Sequence, residues 1–150
     1  MKSSARVVVV GGGVVGASVL YHLTKAGWTD VVLVERKELT AGSTWHAAGG
    51  MHTLNGDPNV ARLQQYTVNL YKEIEKESGQ NCGIHLPGGL MLADTPERLD
   101  FLRMAQARGR YLGMHMEMLS MKEAKALNPL LEEKYFVGAL YDEDEGSVDP

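Results

Sequence analysis

The sequence predicts an α/β fold that begins with a parallel βαβ unit, on three observations. A β-branched run, Arg6–Val10, stops abruptly at the glycines Gly11–Gly13. A helical pattern follows from Val14 to Ala26, and a second apolar run, Asp30–Glu35, comes after it. Strand, glycine turn, helix and strand within about thirty residues make a right-handed crossover unit of parallel strands.

Each element has a local reason. Val7–Val10 is apolar without alternation, which predicts a strand buried on both faces of its sheet. In the helix Val15, Val19, Leu20 and Leu23 share a face, and Gly27 stands at the C′ position. A long helix from about Pro58 to Ser78 is predicted by an apolar stripe of Val60, Leu63, Leu70 and Ile74. Glu73, Glu75, Lys76 and Glu77 lie on its wet side, and Asp57 before Pro58 is a good N-cap. Ile84–Thr95 reads as strand, turn and strand. A helix from about Pro96 to Tyr111 follows, with Leu99, Leu102, Met104 and Ala105 inward. Met114–Leu119 reads as a strand, Lys122–Leu127 as a short helix and Phe136–Tyr141 as another strand.

These later strands read as antiparallel. The predicted architecture is therefore a Rossmann-like FAD/NAD(P)-binding βαβ unit, incomplete, with the start of an antiparallel substrate-domain sheet. Residues 1–80 would carry the cofactor unit, its loop and the following helix, and residues 81–150 the start of a substrate-binding or cap region. The last nine residues, DEDEGSVDP, read as an acidic turn with no packing element, and the parallel sheet is unfinished. Both features predict the front of a longer protein.

Composition bounds the function. A chain of 150 residues with 44% apolar and 23% charged residues is that of one globular domain. A net charge of −4 gives no electrostatic reason to expect nucleic acid or an anionic membrane as partner. Cys82 is the single cysteine, which excludes an internal disulfide, and no Cys/His cluster has zinc spacing. The apolar run near the N-terminus is too short for a signal peptide or a membrane span. The expectation is a soluble protein of the cytoplasm or the mitochondrial matrix.

The glycine turn carries the first chemistry. GGGVVG fits G-x-G-x-x-G at Gly11, Gly13 and Gly16. Gly11 permits the tight turn, Gly13 lets a pyrophosphate approach the backbone, and Gly16 lets the helix pack close to the strand. Val14 and Val15 present backbone N–H groups at the positive end of the helix. Glu35, at the end of the second strand, is placed to accept hydrogen bonds from ribose hydroxyls. Arg36 beside it reads as a surface or adenine-edge contact. The physics of the motif leaves FAD and NAD both open.

The loop that follows is unusual. GSTWHAAGG, Gly42–Gly50, is too rich in small residues for a core and too apolar for solvent. Residues 36 to 46, if extended, span up to about 35 Å, enough to run along a bound dinucleotide. Gly42, Ala47, Ala48, Gly49 and Gly50 allow close approach to a flat ligand. Ser43 and Thr44 offer hydroxyls or backbone N–H groups for phosphate or ribityl oxygens, and Trp45 offers a flat apolar wall. Neutral His46 carries a nucleophilic ring nitrogen able to attack the 8-methyl position of a flavin, but by spacing alone it reads as a structural histidine.

The segment Gly11–Gly50 resembles the N-terminus of the dimethylglycine/sarcosine dehydrogenase family, among the D-amino-acid-oxidase-like FAD-dependent amine oxidoreductases. The likeness continues through ESGQNCGIHLPGGLMLADTPER to GSVDP. The resemblance implies FAD joined covalently to His46 through the flavin 8α-methyl, in an active enzyme. It implies hydride loss from the N-methyl carbon of a small N-methylated amine. The product would be hydrolysed to formaldehyde or passed to tetrahydrofolate in a C-terminal domain, with electron-transfer flavoprotein or oxygen as electron acceptor. No catalytic residue is expected in this chain: those that bind substrate should lie beyond Pro150. A different FAD substrate, such as a hydroxy acid or glycerol phosphate, and a non-catalytic regulatory module are the competing readings. His22, His52 and His85 are given no role, Cys82 reads as a half-buried small residue, and no metal site is expected.

Overall fold

The structure is a computed structural model that describes residues 3–150. The chain forms two compact units, one ending at Ala48 and one spanning Gly49–Asp149.

In the first unit, β1 (Val7–Val10) leads through the glycine turn into α1 (Val14–Lys25), and β2 (Val31–Val34) returns parallel to β1. The register pairs Val7 with Val31 and Val10 with Val34. The end of α1 is a Schellman motif: Trp28 N–H donates to the Leu23 carbonyl and Gly27 N–H to that of Thr24. Gly27 takes φ +85°, as its predicted C′ position requires. The Arg6 guanidinium lies 4.1 Å from the Trp28 ring and covers it.

The expected double burial of β1 is not what the structure has. Val9 alone of its residues is buried, while Val8 and Val10 are 52% and 83% exposed. The stripe of α1 is likewise half realised, with Val15 and Val19 exposed and Leu20 and Leu23 partly buried. The reason is geometric. The sheet of this unit has two strands, and a strand this apolar is covered on both faces only in a wider sheet. Small sheets with bare apolar faces fit an incomplete α/β domain.

The second unit contains β3 (Gly50–Met51), α2 (Pro58–Ser78), β4 (Gly89–Ala93), α3 (Pro96–Tyr111), β5 (Met116–Leu119), α4 (Met121–Leu127), β6 (Gly138–Asp142) and β7 (Gly146–Ser147). The later strands are antiparallel, as the sequence predicts, and form a sheet of order β4-β6-β5 with β6 at its centre. Leu102 and Ala105 of α3 join Ala61, Ala93, Met114, Met116 and Leu140 in its core. Helix α2 begins as expected: the Asp57 carboxylate accepts from the N–H groups of Asn59 (2.7 Å) and Val60 (3.2 Å), with Pro58 in the first turn.

Four expectations fail in detail. The buried residues of α2 are Ala61, Val68 and Leu70, and Val60 and Leu63 are exposed. The expected stripe runs through large apolar side chains, whereas the fully buried Ala61 lies on the packed face. Met104 of α3 is also exposed, one position from the buried Ala105. In Ile84–Thr95 only β4 is a strand; His85 makes a single antiparallel bridge to Ser147. That bridge corrects the reading of the last residues as a turn with no packing element. β7 pairs with β3 and His85, so the acidic segment closes a small sheet of its own.

A buried polar pair holds this closure. The Thr53 hydroxyl donates to Asp142 Oδ2 at 2.5 Å, and the Asp144 N–H donates to Oδ1. Thr53 and Asp142 are 1% and 3% exposed. Thr53→Val keeps the shape and leaves a buried carboxylate oxygen without its donor, a loss of about 1–3 kcal/mol. The expected result is a lower urea midpoint with an unchanged slope; an unchanged midpoint would show the pair to be energetically idle.

Candidate functional site

The glycine turn of the first unit has the geometry its motif demands. Gly11 sits at φ +103°, a conformation reserved in practice for glycine, and its N–H donates to the Val34 carbonyl at 2.8 Å. A Cβ on Gly16 would overlap the Gly11 carbonyl oxygen, so the helix can lie this close to the strand only without one. Gly13 is the N-cap of α1 and offers no side-chain cap, which leaves the first N–H groups of the helix to other partners.

One such partner comes from the loop. The Val14 N–H donates to Thr44 Oγ1 at 2.9 Å, so a hydroxyl oxygen stands at the positive end of α1. A Cβ on Gly13 would lie 2.9 Å from the same oxygen. Helix end, glycine without Cβ and hydroxyl thus converge on one point. Val15 is exposed in the first turn of α1, and Ser43 is exposed in the loop.

Gly12 was not singled out from the sequence, and it is the buried member of the turn. Its N–H donates to Glu35 Oε2 at 2.7 Å. A Cβ there would come within 2.5 Å of Leu39 Cδ2. The signal is the middle glycine of three in a row, at the x position that the fingerprint leaves free. Glu35 Oε1 accepts from the Lys37 N–H at 2.9 Å. The hydrogen bond from Gly12 first, and that from Lys37 second, hold the Glu35 carboxyl below its ordinary range, with a smaller contribution from the Arg36 charge. Each carboxylate oxygen still has a lone pair for a further donor, so the expected ribose contact is compatible with these bonds. Arg36 is exposed.

The loop from Lys37 to Ala48 is a succession of turns rather than an extended strand. Thr40 N–H donates to the Gly12 carbonyl, Ala41 to Glu38 and Ala47 to Thr44. His46 Nδ1–H donates to the Gly42 carbonyl at 2.8 Å. A carbonyl can only accept, so the neutral ring carries its proton on Nδ1 and its free lone pair on Nε2. The Trp45 ring lies 4.4 Å from the His46 ring, tilted by 51°, and both side chains are exposed, as are Ala47 and Ala48. Gly49 and Gly50 belong to the second unit, where the Gly49 carbonyl accepts from Val148 N–H and Gly50 pairs with Ser147.

The remaining candidates stay outside this constellation. His22 bonds within α1, and His52 lies 3.3 Å from Glu145 in the second unit. Burial, and then the Glu75 charge, push the Cys82 thiol up, away from the thiolate a nucleophile needs. Among the described residues no group of three His, Cys, Asp or Glu side chains could hold a metal, and no helix is long and apolar enough to cross a membrane.

Residues 6–150 match a protein family described as FAD dependent oxidoreductase. The chain is 40% identical over 149 residues to dimethylglycine dehydrogenase, mitochondrial, of Rattus norvegicus, covering 99% of this chain and 17% of that protein. It is 38% identical over 151 residues to sarcosine dehydrogenase, mitochondrial, of Homo sapiens, covering 100% and 16%. It is also 38% identical to the pyruvate dehydrogenase phosphatase regulatory subunit, mitochondrial, of Mus musculus, over 94% of this chain and 16% of that one. Among solved structures, L-proline dehydrogenase from P. horikoshii superposes with a TM-score of 0.89 at 25% identity, covering all of this chain and 39% of that one. The chain thus spans about a sixth of the length of the curated relatives it matches.

Proposed function

The chain belongs to the FAD-dependent oxidoreductase family, and from that premise we propose that it is part of a flavoenzyme that demethylates a small N-methylated amino acid. The substrate class is that of dimethylglycine or sarcosine, supported by the likeness to the two dehydrogenases so named. FAD, when bound, supplies the two-electron acceptor for hydride leaving the N-methyl carbon.

The residues of this chain bind, orient and anchor. The N–H groups at the start of α1 and the bare backbone of Gly13 receive the pyrophosphate, and Glu35 accepts from the ribose. Gly11, Gly16 and Arg36 frame that end of the site. Ser43, Thr44 and Trp45 line the path along the dinucleotide, and Ala47 and Ala48 leave room for it. His46 is the covalent anchor. The observation that carries this assignment is the Nδ1–H bond to Gly42, which leaves the lone pair on Nε2 of an exposed ring in an otherwise small-residue loop. Residues 1–80 are read as the cofactor-binding part and residues 81–150 as the start of the substrate-binding or cap region.

The product carbon is released as formaldehyde or passed to tetrahydrofolate in a later domain, and electrons leave to an electron-transfer flavoprotein or to oxygen. The compartment is the mitochondrial matrix or a bacterial cytoplasm. Adding dimethylglycine or sarcosine to the full-length protein should bleach the flavin and release formaldehyde. If neither amine bleaches it, the substrate assignment falls. The likeness to a regulatory subunit favours one second reading, a flavin-fold module without turnover. That reading expects no bleaching by either amine.

A further inference from the structure

Among the described residues, Thr40 is the one non-glycine with positive φ, at +64°. A β-branched residue enters this left-handed region seldom, so its neighbours must hold it there. The partner is specific: Thr40 N–H donates to the Gly12 carbonyl at 3.0 Å. The N–H of the same Gly12 is taken by Glu35. Both polar groups of the central glycine are therefore bound by the segment that leaves β2. The chain reverses at Thr40, and four residues later Thr44 Oγ1 reaches the Val14 N–H at the start of α1. Leu39, the residue before the reversal, fills the space that a Gly12 Cβ would need.

We infer that Thr40 is a positioning residue: a left-handed pin that docks the 36–46 loop on the glycine turn before any cofactor arrives. The inference rests on the reading of this turn as the FAD pyrophosphate site. A loop already docked does not have to be ordered when the dinucleotide binds, and that saving appears as affinity. The element that matters is the backbone turn and its N–H, not the threonine hydroxyl. Glycine at position 40 should therefore serve, and proline should not, because it lacks the N–H and is confined to negative φ.

The test uses full-length protein carrying His46→Ala, so that FAD exchanges freely whatever its linkage in the native protein. FAD is titrated into the deflavinated protein and its fluorescence quenching gives Kd. Thr40→Pro should raise Kd by about tenfold or more, as expected for a lost hydrogen bond plus loop ordering, and Thr40→Gly should stay within about threefold of the parent. In the deflavinated parent, the Thr40 amide should exchange with deuterium well below the rate of an open loop. A Thr40→Pro protein that binds FAD like its parent overturns the pin. So does a Thr40→Gly protein as weak as the proline variant, and so does an unprotected Thr40 amide. If the proline variant fails to fold, the exchange rate at Thr40 and the glycine variant still decide. A parent that folds but binds no FAD overturns the cofactor reading and the pin together. That outcome is distinct from a binding parent matched by its proline variant.

Discussion

His46→Ala in the full-length protein is expected to move all the yellow colour from the acid-precipitated polypeptide into the supernatant. The wild-type protein should keep colour and fluorescence with the precipitate. The argument is local: the Gly42 carbonyl fixes the proton on Nδ1, and Nε2 is left as the ring's nucleophilic atom. The side chain is exposed, and its removal costs one hydrogen bond, about 1 kcal/mol at most. The variant should therefore fold, and noncovalent FAD should still bind at the glycine turn, whose contacts do not involve His46. Wild-type protein that releases its flavin on precipitation would sink the covalent assignment while leaving the cofactor site standing. A variant that neither folds nor binds FAD would assign His46 a structural role instead.

How much of this was legible in the sequence differs between the two units for a physical reason. The βαβ unit is written in local signals: a β-branched run, a glycine turn, a helix stop at Gly27 and a second run. Each acts over a few residues, and each is where it was read. Burial was not legible, because it depends on what else covers a strand. Val10 is as apolar as any core residue and lies open. In α2, large apolar residues drew the stripe, but the packed face is set by Ala61, whose smallness carries no hydrophobic signal. The strand Gly146–Ser147 was unreadable for a related reason. It is two residues long, and its partners β3 and His85 lie far away in sequence. The site divides similarly. The glycines and Glu35 are legible as a motif and Thr44 only as a loop hydroxyl, but the two bonds at Gly12, its N–H to the Glu35 carboxylate and the Thr40 N–H to its carbonyl, each join residues more than twenty apart. No local pattern in the chain announces them.

The structure turns a motif into a ranking among its glycines. Gly16→Ala should be the most damaging single methyl in the first unit. Its Cβ would overlap the Gly11 carbonyl oxygen and lie 3.0 Å from the Gly11 carbonyl carbon, both backbone atoms of the turn itself. Neither can swing aside as a side chain would. The helix must therefore lift from β1, and its N–H groups leave the point where the pyrophosphate binds. The expected cost is about 3 kcal/mol or more of stability, at the upper end of overpacking penalties, with FAD affinity lowered by at least about a hundredfold. Gly13→Ala should fall between, because its Cβ meets only the Thr44 hydroxyl at 2.9 Å. That side chain can rotate away, at the loss of its bond to Val14. Gly42→Ala should leave stability nearly unchanged, since nothing lies within 4 Å of its Cβ and its carbonyl still accepts from His46. Heat unfolding and FAD titration of the three full-length variants would test the order. If Gly42→Ala proved as harmful as Gly16→Ala, the loop and not the turn would be the tight part of the site. If Gly16→Ala bound FAD normally, the close approach of helix to strand would be incidental to the cofactor.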